Sequence, residues 1–241
     1  GGRRGMKCCA YWLRDGGCGE GYEEHVDAVL KNWALMKPFY ERWLRRVFGF
    51  DVVEVAIWFH DLGKLAAAYK SGSGRYRHEV LGAYLAYKVL GGEVRYYVSA
   101  AVALHHEPII MGAYVGELGE RSLNVSTLLA MLRGSDLAMY CNYSPAEELL
   151  KRAVEIWRRG IEASDVVAVF GEVLAFLTAG PASERRRKRL LVAGILQPLV
   201  VADSVAAMMN RGGSGTKIAR TAVSGAEPGL LRISADQSTK L

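Results

Sequence analysis

The chain is poor in several things that often signal function. Asn and Gln occur only at Asn32, Asn124, Asn142, Asn210, Gln197 and Gln237. Alongside many Arg, Glu and Ala, that usage resembles a thermophile's protein. Cysteine is confined to Cys8, Cys9, Cys18 and Cys141. This spacing lacks the paired C-x-x-C units of a zinc ribbon or finger. A disulfide from Cys8 or Cys9 to Cys18 stays open, but free thiols in a cytoplasmic protein are the expectation. No uninterrupted apolar run reaches about 18 residues, so no membrane span is expected. Arg3, Arg4 and Lys7 precede no apolar stretch of the secretory kind. No G-x-x-x-x-G-K-[ST] phosphate loop occurs, and Gly213-Ser-Gly-Thr-Lys217 is not one. Histidine is scarce too, found only at His25, His60, His78, His105 and His106.

What is present suits one large helical domain. Of 241 residues, 51% are hydrophobic, enough for a substantial core. The net charge of +6 favours an anionic partner such as nucleic acid. Residues 1–19, rich in Cys and Gly, read as an irregular lead-in with a short strand-like alternation near Cys9 to Trp12. Residues 20–211 read as the domain, and 212–241 as a flexible tail opened by a Gly-Ser linker. Apolar spacing predicts a helix from residue 21, broken or kinked at Pro38 and continued to residue 48. Asp51 is a good N-cap for a helix expected to run to about residue 69. Further helices are predicted over 76–90, from 93 to the His105-His106 pair before Pro108, and over 125–140, 145–159, 164–177 and 183–210. The fold class is all-α, with few or no strands.

The central stretch is His60-Asp61-Leu62-Gly63-Lys64. It follows Val55, Ala56, Ile57, Trp58 and Phe59, an apolar run of the kind that is buried. Charges in such a place are costly unless they pair or bind a metal. Each of the five histidines, taken alone, reads as an isolated core or surface residue. Together, with Asp61 beside His60, they suggest a metal site. Neutral imidazoles and carboxylates are the usual ligands of catalytic zinc, iron, manganese or nickel, and helix bundles commonly aim such side chains inward around two ions. His60 and Asp61 point about 100° apart on a helix and can address neighbouring ions. Lys64, four residues on, would share a face with His60 and could meet a substrate phosphate. His105 and His106, on a fraying last turn, can converge on one ion.

The ordered set His25, His60-Asp61-x-x-Lys64, His78, His105-His106 and Asp203 resembles the HD phosphohydrolase superfamily. More narrowly, the histidine between the HD pair and a tandem His-His resembles the HD nuclease component of type I CRISPR interference. The resemblance covers roughly residues 20–211. It implies an HD-domain helical bundle with a buried centre of two divalent ions, drawn from Mn, Mg, Ni, Co, Fe or Zn. His25, His60, Asp61 and Asp203 would hold one ion. Asp61, His78, His105 and His106 would hold the other, with Asp61 as the bridge. Lys64 would contact the scissile phosphate. Asp136 competes with Asp203 for the distal position. The family often carries Ser four residues after the middle histidine, where this chain has Gly82. Without a phosphate loop, the resemblance implies the stand-alone archaeal form, working in the cytoplasm beside a separate helicase and an RNA-guided surveillance complex.

The implied activity is metal-dependent hydrolysis of DNA phosphodiester bonds, preferring single strands, with Asp61 and Lys64 catalytic. Lys64, Arg75 and Arg77 are the candidate substrate-binding residues. Lys70 and the run from Arg185 to Arg189 are further candidates to line the approach, and Tyr76, Tyr96 and Tyr97 are candidates to stack on bases. An HD phosphohydrolase of nucleotides or cyclic dinucleotides would use the same ligands. A non-catalytic helical subunit with vestigial histidines is the third reading.

Overall fold

The structure, a computed structural model, describes residues 6–72, 76–106, 129–130 and 132–211. Among these residues a hairpin of β1 (Cys9–Trp12) and β2 (Cys18–Gly21) leads into α1 (Tyr22–Phe48) and α2 (Val52–His60). A 3-10 turn (Leu62–Leu65) and the short α3 (Ala67–Lys70) follow. Then come α4 (His78–Val89), α5 (Val94–Leu104), α6 (Glu148–Arg158), α7 (Ala163–Thr178) and α8 (Ala182–Asn210). The all-α class holds, with the hairpin as the only sheet among the described residues.

Helix α2 is buried on nearly every face. Val52, Val53, Ala56, Ile57 and Phe59 are all inaccessible to solvent, so it needs neighbours all round. Asp51 caps it by accepting the Glu54 backbone N–H. Helices α4 and α5 pack beside it, and α1 and α8 complete the wall. His25 meets Asp203 at one end of the α1–α8 pair and Trp43 meets Gly194 further along, so the two long helices run antiparallel. A side chain at Gly82 would overlap the carbonyl oxygen of Phe59. Glycine there lets α4 approach the end of α2, so Gly82 serves close helix packing.

Several expectations are corrected. α1 is not divided at Pro38. The proline is exposed, so the carbonyl it leaves without a partner faces solvent and the helix runs through. The helix begun at Asp51 stops at His60 rather than near residue 69. Asp61 leaves helical geometry at φ −105° and ψ 2°, and a side chain at Gly63 would overlap the His78 carbonyl. The helix predicted over 125–140 falls partly outside the described residues, and its described part ends at Arg133. Past Gly134 the chain lies along residues 65–68, with Ala67 N–H donating to Ala138 O (2.8 Å) and Tyr140 N–H to Leu65 O (3.0 Å). The predicted loop before it and the tail from residue 212 lie outside the described residues.

Residues 9–21 form the hairpin, within the stretch expected to be an irregular lead-in. Its cysteines are not free thiols. Cys9 bonds to Cys18 across the hairpin, and Cys8 bonds to Cys141. Finally, α8 contains an 18-residue window apolar enough by length and composition to cross a bilayer, although no uninterrupted run marks it in the sequence. That window is 56% buried inside the fold. Leu191, Val192, Ile195 and Leu199 are core residues, so its apolarity serves packing here.

Candidate metal centre

Five elements aim side chains at one point. His25 lies in the first turn of α1, His60 ends α2, His78 opens α4, and His105 and His106 follow α5. Asp203 comes from the buried face of α8. Asp61 sits in the middle, fully buried, because α2 ends one residue before it. Its two oxygens face different neighbours. Oδ2 lies 3.0 Å from His25 Nε2 and 3.5 Å from His60 Nε2. Oδ1 lies 3.0 Å from His78 Nε2, 3.7 Å from His105 Nε2 and 3.9 Å from His106 Nε2. Asp203 Oδ1 stands 3.1 Å from His25 Nε2 and 3.7 Å from His60 Nε2, joining the first group. Within each of the two sets, His25–His60–Asp61–Asp203 and Asp61–His78–His105–His106, one ligand atom per residue lies within 4.8 Å of every other. Either set can hold a metal ion.

The hydrogen bonds outside the centre sort the ring nitrogens. His60 Nδ1 and His105 Nδ1 each lie 2.6 Å from the carbonyl three residues earlier, Ile57 O and Val102 O. His25 Nδ1 lies 2.9 Å from Glu20 Oε1, and His78 Nδ1 3.5 Å from Glu79 Oε2. With Nδ1 of His25, His60 and His105 donating outward, their Nε2 atoms are left as lone-pair donors aimed inward, the arrangement that fixes metal-binding imidazoles. His60 Nε2, His78 Nε2, His105 Nε2 and Asp61 Oδ1 are buried with no hydrogen-bond partner in good geometry. Orphaned buried polar atoms are rare. Four converging on one point, all of metal-ligand type, fit divalent cations.

The electrostatics agree. Burial alone would raise the Asp61 carboxyl, but the charges of Lys64 and His60 and the imidazoles of His105 and His25 beside it hold it well below the usual range. Burial likewise opposes ionisation of Asp203, and the hydrogen bond from His25 and the His60 imidazole beside it prevail to keep it low. Burial would discharge His25, yet Asp203, Asp61 and Glu20 all accept from it and push it up to about 11. A proton on Nε2 thus lies between two carboxylates, a place that a cation also satisfies. Burial, then the charge of His105, pushes His106 down.

The other candidates are spread more widely. Lys64 is buried and ion-paired with Asp61 Oδ2. It reaches Asp61 because positions three apart eclipse in a 3-10 turn, and it does not share a helical face with His60. Arg77 donates to Glu79 Oε1 at 2.7 Å, so it joins the centre through Glu79 and His78. Arg75 lies outside the described residues. Lys70 sits over the rings of Trp12 and Tyr140. The basic run at the start of α8 is 14 to 18 residues from Asp203, roughly 21–27 Å along the helix, and Lys188 within it is buried against Phe176. Tyr76 and Tyr97 are buried in the core, and Tyr96 stacks on Phe176 at 4.2 Å, so these rings pack against protein. Asp136 is exposed and accepts from the Ala138 backbone N–H at 3.0 Å, apart from the cluster that Asp203 enters.

Sequence reasoning missed Glu20 and Glu79. Glu79 had a signal, a charge next to His78 on a helix otherwise apolar in its first three turns. Glu20, between Gly19 and Gly21, had none.

No family model matches the chain. A CRISPR-associated endonuclease Cas3-HD of Thermoproteus tenax is 50% identical over 219 residues, which cover 89% of this chain and 96% of that protein. Proteins of the same description from Pyrococcus furiosus and Methanocaldococcus jannaschii are each 26% identical, over 81% and 75% of this chain and 92% and 82% of those proteins.

Proposed function

The chain belongs to the CRISPR-associated Cas3-HD endonucleases, and on that premise we propose that it is a two-metal DNA nuclease acting on single strands. The observation that carries this reading is Asp61, one buried carboxylate whose two oxygens each face a separate set of imidazoles. His25, His60 and Asp203 complete one ligand set, and His78, His105 and His106 the other. Two divalent ions held a few Å apart would supply Lewis-acid polarisation of a phosphodiester and a nucleophile from water at neutral pH.

The chain's own residues do the rest. Asp61 sets the separation of the two ligand sets and is fixed by its place at the end of α2. Glu20, Glu79 and the carbonyls of Ile57 and Val102 keep the rings turned with Nε2 inward. Lys64, the nearest ammonium, exchanges Asp61 Oδ2 for the substrate phosphate and offsets the charge that grows on it. Access favours a single strand. The side chains of His25, His60 and His105 are fully buried, His78 is 13% exposed and His106 36% exposed, so the centre opens on the His78–His106 side. An opening of two side chains suits one extended strand better than a duplex. Arg77, anchored by Glu79 beside that opening, is the described arginine best placed to meet the backbone.

A single-strand nuclease needs its strand exposed. We assign that task to a helicase partner, recruited in the cytoplasm by an RNA-guided surveillance complex. The test is cleavage by the manganese-loaded protein of a labelled oligonucleotide, its duplex and a panel of nucleotides and cyclic dinucleotides. The single strand should be cut and the duplex spared. Turnover of nucleotides with intact DNA would replace this reading with a nucleotide phosphohydrolase.

A further inference from the structure

We infer that Glu20 is a positioning residue of the metal centre, one that clamps His25 from behind and ties the end of α8 to the ring it orients. This rests on the reading of His25 as a metal ligand. Glu20 is 3% exposed and lies on β2, outside both ligand sets. A buried carboxylate needs donors to compensate for its lost hydration, and Glu20 has three. Oε1 accepts from His25 Nδ1 at 2.9 Å and from Asn210 Nδ2 at 2.7 Å. Oε2 accepts from Arg211 Nε at 2.8 Å. The Arg211 guanidinium also lies over the Tyr11 ring of β1, 4.8 Å from its centroid.

These contacts have two consequences for His25. The carboxylate keeps the proton on Nδ1, which leaves Nε2 as the ligand atom facing Asp61 and Asp203. It also makes the ring more basic, as a carboxylate behind a ligating imidazole does. The anchors come from α8, the helix that supplies Asp203, and from the hairpin. Glu20 therefore holds two ligands of one set, His25 directly and Asp203 through its helix end, in register with each other. Asn210 is the last residue of α8 and Arg211 caps it, so Glu20 holds the helix at its end, the part that intrahelical hydrogen bonds secure least.

The test is titration of the metal-free full chain with Mn(II) by calorimetry, with circular dichroism as the control for fold. The proteins are wild type, Glu20→Gln, Glu20→Ala, Arg211→Ala and His25→Ala. Glu20→Gln keeps the shape and one acceptor while removing the charge. Glu20→Ala should weaken one of the two binding events about 10–100-fold, with Glu20→Gln and Arg211→Ala falling between it and wild type. The dichroism spectrum should not change. Wild-type affinities in both folded Glu20 variants would overturn the inference. If Glu20→Ala unfolds the chain, Glu20→Gln and Arg211→Ala decide alone. If His25→Ala binds metal as wild type does, the ligand assignment itself fails. If His25→Ala is weak and the Glu20 variants are not, only the positioning role fails.

Discussion

Asp61 shares one carboxylate between two histidine sets and an ammonium, so its removal tests both folding and binding. Replacing it by Asn leaves the Lys64 ammonium buried without its anion, and stranding one partner of a buried ion pair costs about 3–5 kcal/mol. Asp61→Asn should therefore lose about that much stability in the chelated protein, read by denaturant unfolding, and cleavage should fall below detection. The side chains at this scale that could be read in advance were those that contradict their surroundings. His60 and Asp61 interrupt an apolar run, and Asp203 stands alone in Leu-Val-Val-Ala-Asp. Burial of a charge is a visible anomaly in a sequence. Glu20 contradicts nothing around it, and what makes it matter is the return of α8 to the hairpin across about 190 residues, a distance that no local pattern encodes.

Between elements, the centre depends on how closely α4 approaches the end of α2 and the 3-10 turn. Gly82 and Gly63 are the points of closest approach, each against a backbone carbonyl. Gly82→Ala should force α4 away from Phe59 and cost about 1–3 kcal/mol as overpacking does. Because α4 begins with His78, the same variant should weaken metal binding in the His78 set more than in the His25 set, a difference that calorimetric titration resolves. Helix positions in this region followed from periodicity and capping, since Asp51 and the apolar run specify α2 locally. The break at Asp61 did not. It reflects the packing of Gly63 against His78, a tertiary contact that overrides the helical preference of the residues beyond. The Cys9–Cys18 pairing was among the open alternatives, but Cys8–Cys141 was missed for a related reason. Cys8 and Cys141 are 133 residues apart, and compartment statistics pointed to free thiols.

For the molecule as a whole, the buried titratable groups set a pH signature. His25, at about 11, and His105, also raised, lie above their unfolded value near 6.5. Their linked stabilisation is complete below that value and is lost as pH rises toward the folded pKa. His78 and His106 are lowered, so their contribution is present above about 6.5 and is lost as pH falls. Glu20, at about 2, loses its contribution at still lower pH. The chelated protein should therefore have its highest Tm near neutrality and a falling Tm from about pH 7 to 10. Metal binding must displace the His25 proton, so affinity rises with pH. The Tm gap between manganese-loaded and chelated protein should widen over the same range, measured by differential scanning calorimetry. A gap that narrows would mean that His25 is not deprotonated on loading.

On this reading Asp61 bridges two metal ions. Crystals of the full chain grown with Mn(II) and measured by anomalous scattering at the manganese edge would locate them. Two peaks are expected, one beside each Asp61 oxygen, the first among His25, His60 and Asp203 and the second among His78, His105 and His106. A single peak, or peaks away from Asp61, would contradict it.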